Sequence, residues 1–257
     1  MKPMKQNNYL AKFKEFKDSV GTLGIRNINE DRLEFYFEGL QDWSLFYSFD
    51  EIKTWYKSII DKKEMSIEEI PLSEMRGWTV NGDKITHDSG QFYQIEGLRV
   101  TTDIRESKKG WDQPICRQIT WDGGILGILR KRFNGVPHYL LEAKSEPGNP
   151  NMVQISPTLQ ATFSNINAAH LGNVPNYVDI FQNAEKMGKV HYKQWLAEDG
   201  GRLYNKRNLN MIVELDEDYD ITLMNDNFIW MSMYQIKECL QQDAWVANSI
   251  RSIISHI

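Results

Sequence analysis

The sequence predicts an α+β fold, with helices flanking a central set of strands, and three observations predict it. Apolar residues recur at helical spacing in the first sixty positions. From Arg76 onward the texture changes to short apolar runs broken by Gly, Asn and Asp. Helical periodicity then returns at the C-terminal end.

The elements follow in order. In the first helical stretch Tyr9, Leu10, Phe13, Phe16 and Val20 share one face, with lysines between them. A second helix opens at Ser48, whose side chain caps while Glu51 reaches back, the spacing of a capping box. Ile52, Trp55, Tyr56, Ile59 and Ile60 form its apolar stripe, and the acidic stretch from Glu64 to Glu74 reads as a solvated connection. Strands are expected at Phe92–Val100, Gly124–Leu129, His138–Lys144 and Asn210–Glu214, and helices at Met231–Gln242 and Trp245–Ile257.

A chain of 257 residues makes one large domain or two small ones, and 41% hydrophobic with 12% aromatic residues is enough for a core. A net charge of -5 argues against a nucleic-acid surface, so an anionic ligand needs a local basic pocket. Cys116 and Cys239 stand far apart without a CxxC spacing, which fits two reduced, packed thiols. The first residues lack the apolar run of a signal peptide, and no stretch reaches the ~20 apolar residues of a membrane span. A soluble, cytoplasmic protein is expected. The fingerprints of a dinucleotide fold, a P-loop, a zincin and a hydrolase elbow are all missing.

Residues 154–165 carry the most information. Gln154, Ser156, Thr158, Gln160, Thr162 and Ser164 alternate with Ile155, Pro157, Leu159, Ala161 and Phe163. Period two is a strand's signature, and Pro157 places the strand at an edge or a bulge. Ser156-Pro157 also fits a helix N-cap followed by N1, so helix is the competing local assignment. A row of uncharged donors and acceptors suits a ligand rich in hydroxyls and carbonyls; the plainer reading is a solvent-exposed Thr-rich edge.

Other candidates lie outside that row. His170 has a side chain suited to proton transfer, although a lone histidine is more often structural. Arg202, Lys206 and Arg207 form a basic cluster able to hold a diphosphate, or alternatively to neutralise the acidic run Glu214–Asp220. Trp78 and Trp111 follow glycines, where a ring can face a base or sugar instead of the core. His87 organises a turn with Asp88 and Ser89.

Taken together the motifs resemble a known family. Gly77-Trp78, Ile85-Thr-His-Asp-Ser-Gly-Gln-Phe-Tyr93, Gly97-Leu-Arg-Val100, Gly110-Trp-Asp-Gln-Pro-Ile115 and Gly124-Ile-Leu-Gly127 come first. Glu142-Ala-Lys-Ser-Glu-Pro-Gly-Asn149, the 154–165 segment and Lys206-Arg-Asn-Leu-Asn-Met-Ile-Val-Glu214 follow. In this order they resemble the NDP-hexose 2,3-dehydratases of deoxysugar biosynthesis, from about Arg76 to the C-terminus.

The resemblance implies a Nudix-like mixed sheet flanked by helices over residues 76–257, with residues 1–75 as a helical N-terminal region packed on it. It implies a nucleotide-sugar lyase that removes the C2 hydroxyl of dTDP-4-keto-6-deoxyglucose, giving a 3,4-diketo-2,6-dideoxy sugar. No metal or redox cofactor is implied, and a 3-ketoreductase acts downstream. Familiar members carry two tandem copies of the module and this chain one, so a homodimer is expected. Where the family often has Gln-Ser-Glu-Gln-Gly, this chain has Leu196-Ala-Glu-Asp-Gly200.

That chemistry needs a base near C3, an acid near O2 and donors at the ketone. His170 or Glu198 is expected to move protons, with Tyr177 an outside candidate. Gln154, Ser156, Thr158, Thr162, Ser164 and Asn165 would contact the sugar. Arg202, Lys206 and Arg207 would hold phosphates, Asn208 would orient the pocket, and Trp78 would pack on base or sugar. The rivals are a Nudix-type pyrophosphohydrolase, which needs clustered glutamates for metal, and a module that binds a nucleotide sugar without catalysis.

Overall fold

In the computed structural model, which describes residues 7–23, 29–62, 65–90, 92–103, 109–119, 123–166 and 174–256, the organising unit is a hairpin. β5 (Gly124–Phe133) and β6 (Val136–Ser145) turn through Asn134-Gly135, both at positive φ, the pairing that two-residue hairpins favour. The two strands pair from Phe133↔Val136 only as far as Leu129↔Leu140 and then splay apart. β7 (Val153–Pro157) and β8 (Leu159–Thr162) fill the opening, β7 pairing with β6 and β8 with β5.

Thr158 sits at the point of the wedge. Its hydroxyl accepts from the Leu129 amide at 2.9 Å and donates to the Leu140 carbonyl. It thereby satisfies two backbone groups that lose their partners where the hairpin opens. Pro157, which cannot donate, ends β7 at this change of partner; the bulge expected there is a switch from one strand to another. The helical alternative for the segment is not adopted up to Thr162; only Phe163–Ile166 forms a short helix, α4.

β10 (Arg207–Leu215) adds parallel to β5, β9 (Gly188–Ala197) antiparallel to β10, and β11 (Phe228–Met231) antiparallel to β6. The resulting mixed sheet of seven strands is covered on both faces, which explains the unbroken apolar runs in β5 and β10. One face packs on α1 (Tyr9–Thr22), α5 (Val178–Gln182) and α6 (Ala184–Met187). The other packs on α3 (Phe49–Lys62), α7 (Met233–Leu240) and α8 (Asn248–Ile254). At Gly127 the first face comes so close that an added Cβ would run into the ring of Phe181.

The N-terminal helices form where periodicity predicts them. The Ser48 hydroxyl accepts the Glu51 amide while the Glu51 carboxylate accepts the Ser48 amide, the expected capping box. Leu10 departs from the expected face and is exposed. α2 (Glu30–Glu38), capped by Asn29, supplies Phe35 to one core and Phe37 to the other. It also contributes two buried carboxylates. Arg130 on β5, wholly buried, pairs with Glu34 at 3.1 Å, Glu38 at 2.7 Å and Glu214 of β10. Arg132 joins Glu34 and Glu214, and the Tyr9 and Tyr139 hydroxyls donate to Glu34 and Glu38. Glu214, the first residue of the acidic run, is thus a partner of both arginines at the edge of the core.

A separate antiparallel meander holds β1 (Trp78–Val80), β2 (Lys84–His87), β3 (Tyr93–Val100) and β4 (Trp111–Gln118). His87 closes its turn on Ser89 at 2.7 Å, and Asp88 accepts from Thr79, as expected. The meander is tied to the large sheet by the loop between β9 and β10. Cys116 of β4 accepts from Tyr204 at 2.9 Å and donates to Arg202 at 3.0 Å through backbone groups, and Gln113 donates to the Gly201 carbonyl.

Candidate active site

The seam between the two sheets is built by that loop. β9 and β10 pair up to Arg207↔Ala197, and one further backbone bond, Glu198 amide to Lys206 carbonyl at 2.9 Å, extends the ladder. Glu198 and Lys206 are therefore cross-strand neighbours fixed by strand geometry. Asn208, buried on β10, donates its amide to the Glu198 carboxylate. The Lys206 ammonium donates to Gln118 of β4. Burial pulls the Lys206 pKa below its ordinary value, partly offset by the Glu198 carboxylate beside it.

Three cavities open around this pair, and Leu203 and Lys206 line all of them. A polar cleft of about 460 Å³ is walled by Lys144, Glu146, Gln160, Thr162, Asn165 and Asn208. A cavity of about 630 Å³ on the other side is lined by Leu98, Val100, Trp111, Ile115 and Tyr204. Glu198 borders both. A smaller recess of about 230 Å³ holds Phe92, Cys116, Gln118 and Ser164. One lobe can thus hydrogen-bond a polyhydroxylated group, the other can take an aromatic ring, and a cation stands where they meet.

The expected site residues divide. Glu198, Lys206, Asn208, Gln154, Thr162 and Asn165 line the polar cleft, and Ser164 lines the recess. Ser156 and Thr158 do not: both are buried, and Thr158 is occupied at the splay of the hairpin. Strict alternation concealed this, because the row changes partner strand at Pro157 and loses its common face. Tyr177 is a left-handed N-cap residue in the core, its hydroxyl donating to the Thr222 carbonyl and accepting the Met224 amide. It has no proton free for substrate chemistry. Trp78 packs on His87 and Tyr93 in the meander and lines none of the three cavities, standing behind the Tyr93 that lines the small recess; Trp111 is the tryptophan that borders one. Arg202 is exposed and paired to Asp199 at 2.9 Å, and Arg207 lies over the Trp195 ring, so only Lys206 of the basic cluster faces a cavity. His170 lies outside the described residues.

Lys144, Glu146 and Ser249 were not anticipated as site residues. Lys144 donates to the Gln160 carbonyl at 2.7 Å, and the Gln160 side chain donates to Glu146 at 2.8 Å while accepting from Ser249 at 2.9 Å. A signal existed: Glu142 and Lys144, two apart on β6, put charge on one face of a strand buried elsewhere. Among the described residues, no three His, Cys, Asp or Glu side chains are grouped to hold a metal ion.

The family model described as NDP-hexose 2,3-dehydratase matches residues 49–257. The chain belongs to the NDP-hexose 2,3-dehydratase family. The match begins at Phe49, so it takes in α3 as well as both sheets. A dTDP-4-dehydro-6-deoxy-alpha-D-glucopyranose 2,3-dehydratase of Amycolatopsis orientalis is 37% identical over 80% of this chain and 44% of its own length. One of Saccharopolyspora spinosa is 37% identical over 80% of this chain and 42% of its own. The chain therefore spans less than half the length of these curated relatives. Among solved structures, an Ap4A hydrolase of C. elegans (11% identity, 51% of this chain, 91% of its own, TM-score 0.30) and a Nudix hydrolase of M. smegmatis (14%, 58%, 92%, 0.29) are similar at levels that decide nothing about chemistry. Within this dehydratase-family chain, the seam between the meander and the large sheet brings cavities, ionisable groups and a partly desolvated cation together.

Proposed function

We propose that this chain binds a nucleoside-diphosphate 4-keto-6-deoxyhexose at the seam and eliminates water across C2 and C3. The carrying observation is the meeting of a ring-lined lobe and a polar lobe at Lys206, bordered by Glu198. The base lies in the Trp111 lobe, the hexose in the polar cleft, and Lys206 holds the diphosphate between them. The C4 ketone acidifies C3–H. Glu198, held in place by the Asn208 amide donor, takes that proton to give an enediolate, which expels the C2 hydroxyl as water. The resulting enol tautomerises to the 3,4-diketone. Thr162 and Asn165 supply donors to sugar oxygens.

The remaining expectations join this reading: a homodimer, a 3-ketoreductase that consumes the product, a cytoplasmic setting, and a helical region 1–75 packed on a catalytic unit 76–257. Among the described residues no helix is long and apolar enough to cross a membrane. The test is incubation of the purified chain with dTDP-4-keto-6-deoxyglucose and a 3-ketoreductase. A 2-deoxy product is expected, and Glu198→Gln is expected to lower its rate by ~10²–10⁴. Because the chain spans under half of its relatives' length, a binding-only module is the second reading. Tight dTDP binding without any 2-deoxy product selects it.

A further inference from the structure

The polar cleft has two ionisable walls, and the reaction proposed above needs two. One wall is Glu198 with Asn208 and Lys206, at the ends of β9 and β10. The other is the end of β6, where Lys144 and Glu146 stand 3.9 Å apart and both engage Gln160 of β8. Each wall sets a carboxylate beside an ammonium and holds it with a side-chain amide. We infer that Lys144 is the proton donor to the departing C2 hydroxyl, with Glu146 and Gln160 as its positioning residues. This rests on the elimination proposed above and deepens it.

The geometry favours this division of labour. An ammonium carries three N–H donors. Lys144 spends one on the Gln160 carbonyl, Glu146 lies on another side, and both lie on the cleft lining, which leaves a donor for the ligand. The Glu146 carboxylate is fixed by Gln160, whose own oxygen is taken by Ser249, so the wall is braced from β6, β8 and α8. Lys206 is less suited to the task, because Gln118 on the meander holds its ammonium at the junction with the ring-lined lobe.

The protons balance. Glu198 removes the C3 proton, and Lys144 gives one to O2 as the C2–O bond breaks and water leaves. The C2=C3 enol then returns its hydroxyl proton to the Lys144 amine while C2 receives the proton carried by Glu198. The enzyme ends as it began, and the sugar has lost one water.

Deuterium exchange separates the two walls. With dTDP-4-keto-6-deoxyglucose in deuterium oxide, Lys144→Met keeps C3 exchange within about tenfold of the unaltered chain while elimination falls by ~10²–10⁴. Glu198→Gln loses both. Lys144→Arg keeps the charge but does not give up a proton near neutral pH, so it behaves like Lys144→Met and carries the test if that variant folds poorly. Elimination at the original rate in either Lys144 variant overturns the assignment, as does equal loss of exchange and elimination in a Lys144→Arg variant with an unshifted unfolding midpoint. An unaltered chain that neither exchanges nor eliminates overturns the proposed reaction itself, and the donor role with it.

Discussion

Thr158→Val separates a structural hydroxyl from a ligand-binding one. Thr158 is 2% exposed, and its hydroxyl bridges the Leu129 amide and the Leu140 carbonyl where β5 and β6 part. Valine fills the same space without the hydroxyl, so no cavity opens and the loss is polar. A buried backbone group left without a partner costs about 1–3 kcal/mol, and two are affected. The expected loss is about 2–6 kcal/mol, a large share of the roughly 5–15 kcal/mol by which domains are stable. With a urea m-value near 2–3 kcal/mol/M, the midpoint falls by roughly 1–3 M at unchanged m. Urea unfolding followed by tryptophan fluorescence reads this. Thr162→Val is the control: its hydroxyl meets Ser164 at 2.9 Å on the cleft wall, so its midpoint shifts little and substrate KM rises. A Thr158→Val protein that is as stable as the original but has lost affinity for the nucleotide sugar would refute the reasoning, because the hydroxyl would then face ligand.

Three further outcomes follow from the same geometry. Lys206→Met should weaken dTDP binding about 10–100-fold by calorimetry, the worth of a hydrogen bond to a charged group, while Arg202→Ala, an exposed ion-paired residue, changes it less than about twofold. Trp111→Ala should cost about 1–3 kcal/mol of dTDP affinity through lost base stacking, and Trp78→Ala none. Stability should fall in two stages on acidification. Burial lowers the His138 pKa from 6.5 to about 4, so the unfolded chain binds its proton first and stability drops between pH 6.5 and 4. Burial alone would raise Glu34, but the Arg132 hydrogen bond and the Arg130 and Arg132 charges together hold it at about 2, below its usual 4.5. Its contribution, about 3 kcal/mol, is full above 4.5 and lost as pH falls toward 2. Urea midpoints across pH 2–7 check both stages, and Glu34→Gln should lower stability at pH 7 and flatten the acid limb.

The fold class was legible because it rests on local periodicity. The Ser48–Glu51 cap, the stripe Ile52–Tyr56–Ile59 and the runs in β5, β6 and β10 all signal within a few residues. β11 signals less, since its partner β6 is distant in sequence, and the period-two row of β7 and β8 reads as strand without revealing the change of partner at Pro157. The same distinction divides the site. Glu198, Lys206 and Asn208 were readable because they cluster in one short segment. Lys144 and Glu146 come from another strand, and only the folded sheet brings them to the same cleft. The burial of Glu34 and Glu38 was not legible, because a guanidinium 96 and 92 residues away leaves no trace in helical spacing.

The departure from the family pattern at residues 196–200 touches the site less than its position suggests. Glu198 and Lys206 face each other across a ladder closed by a backbone bond, so their spacing is set by strand pairing and not by the loop beyond. Within that loop Asp199 accepts the Gly201 amide and the Arg202 guanidinium, which makes it a turn residue. Ala197 borders the ring-lined lobe with only a methyl group, so a missing hydroxyl there removes a contact from that lobe and leaves the polar cleft as it was. Under the proposed function, loss of the serine bears on how tightly the nucleotide is held, whereas Glu198, which would act on the hexose, and Lys206, which would hold the diphosphate, keep their geometry.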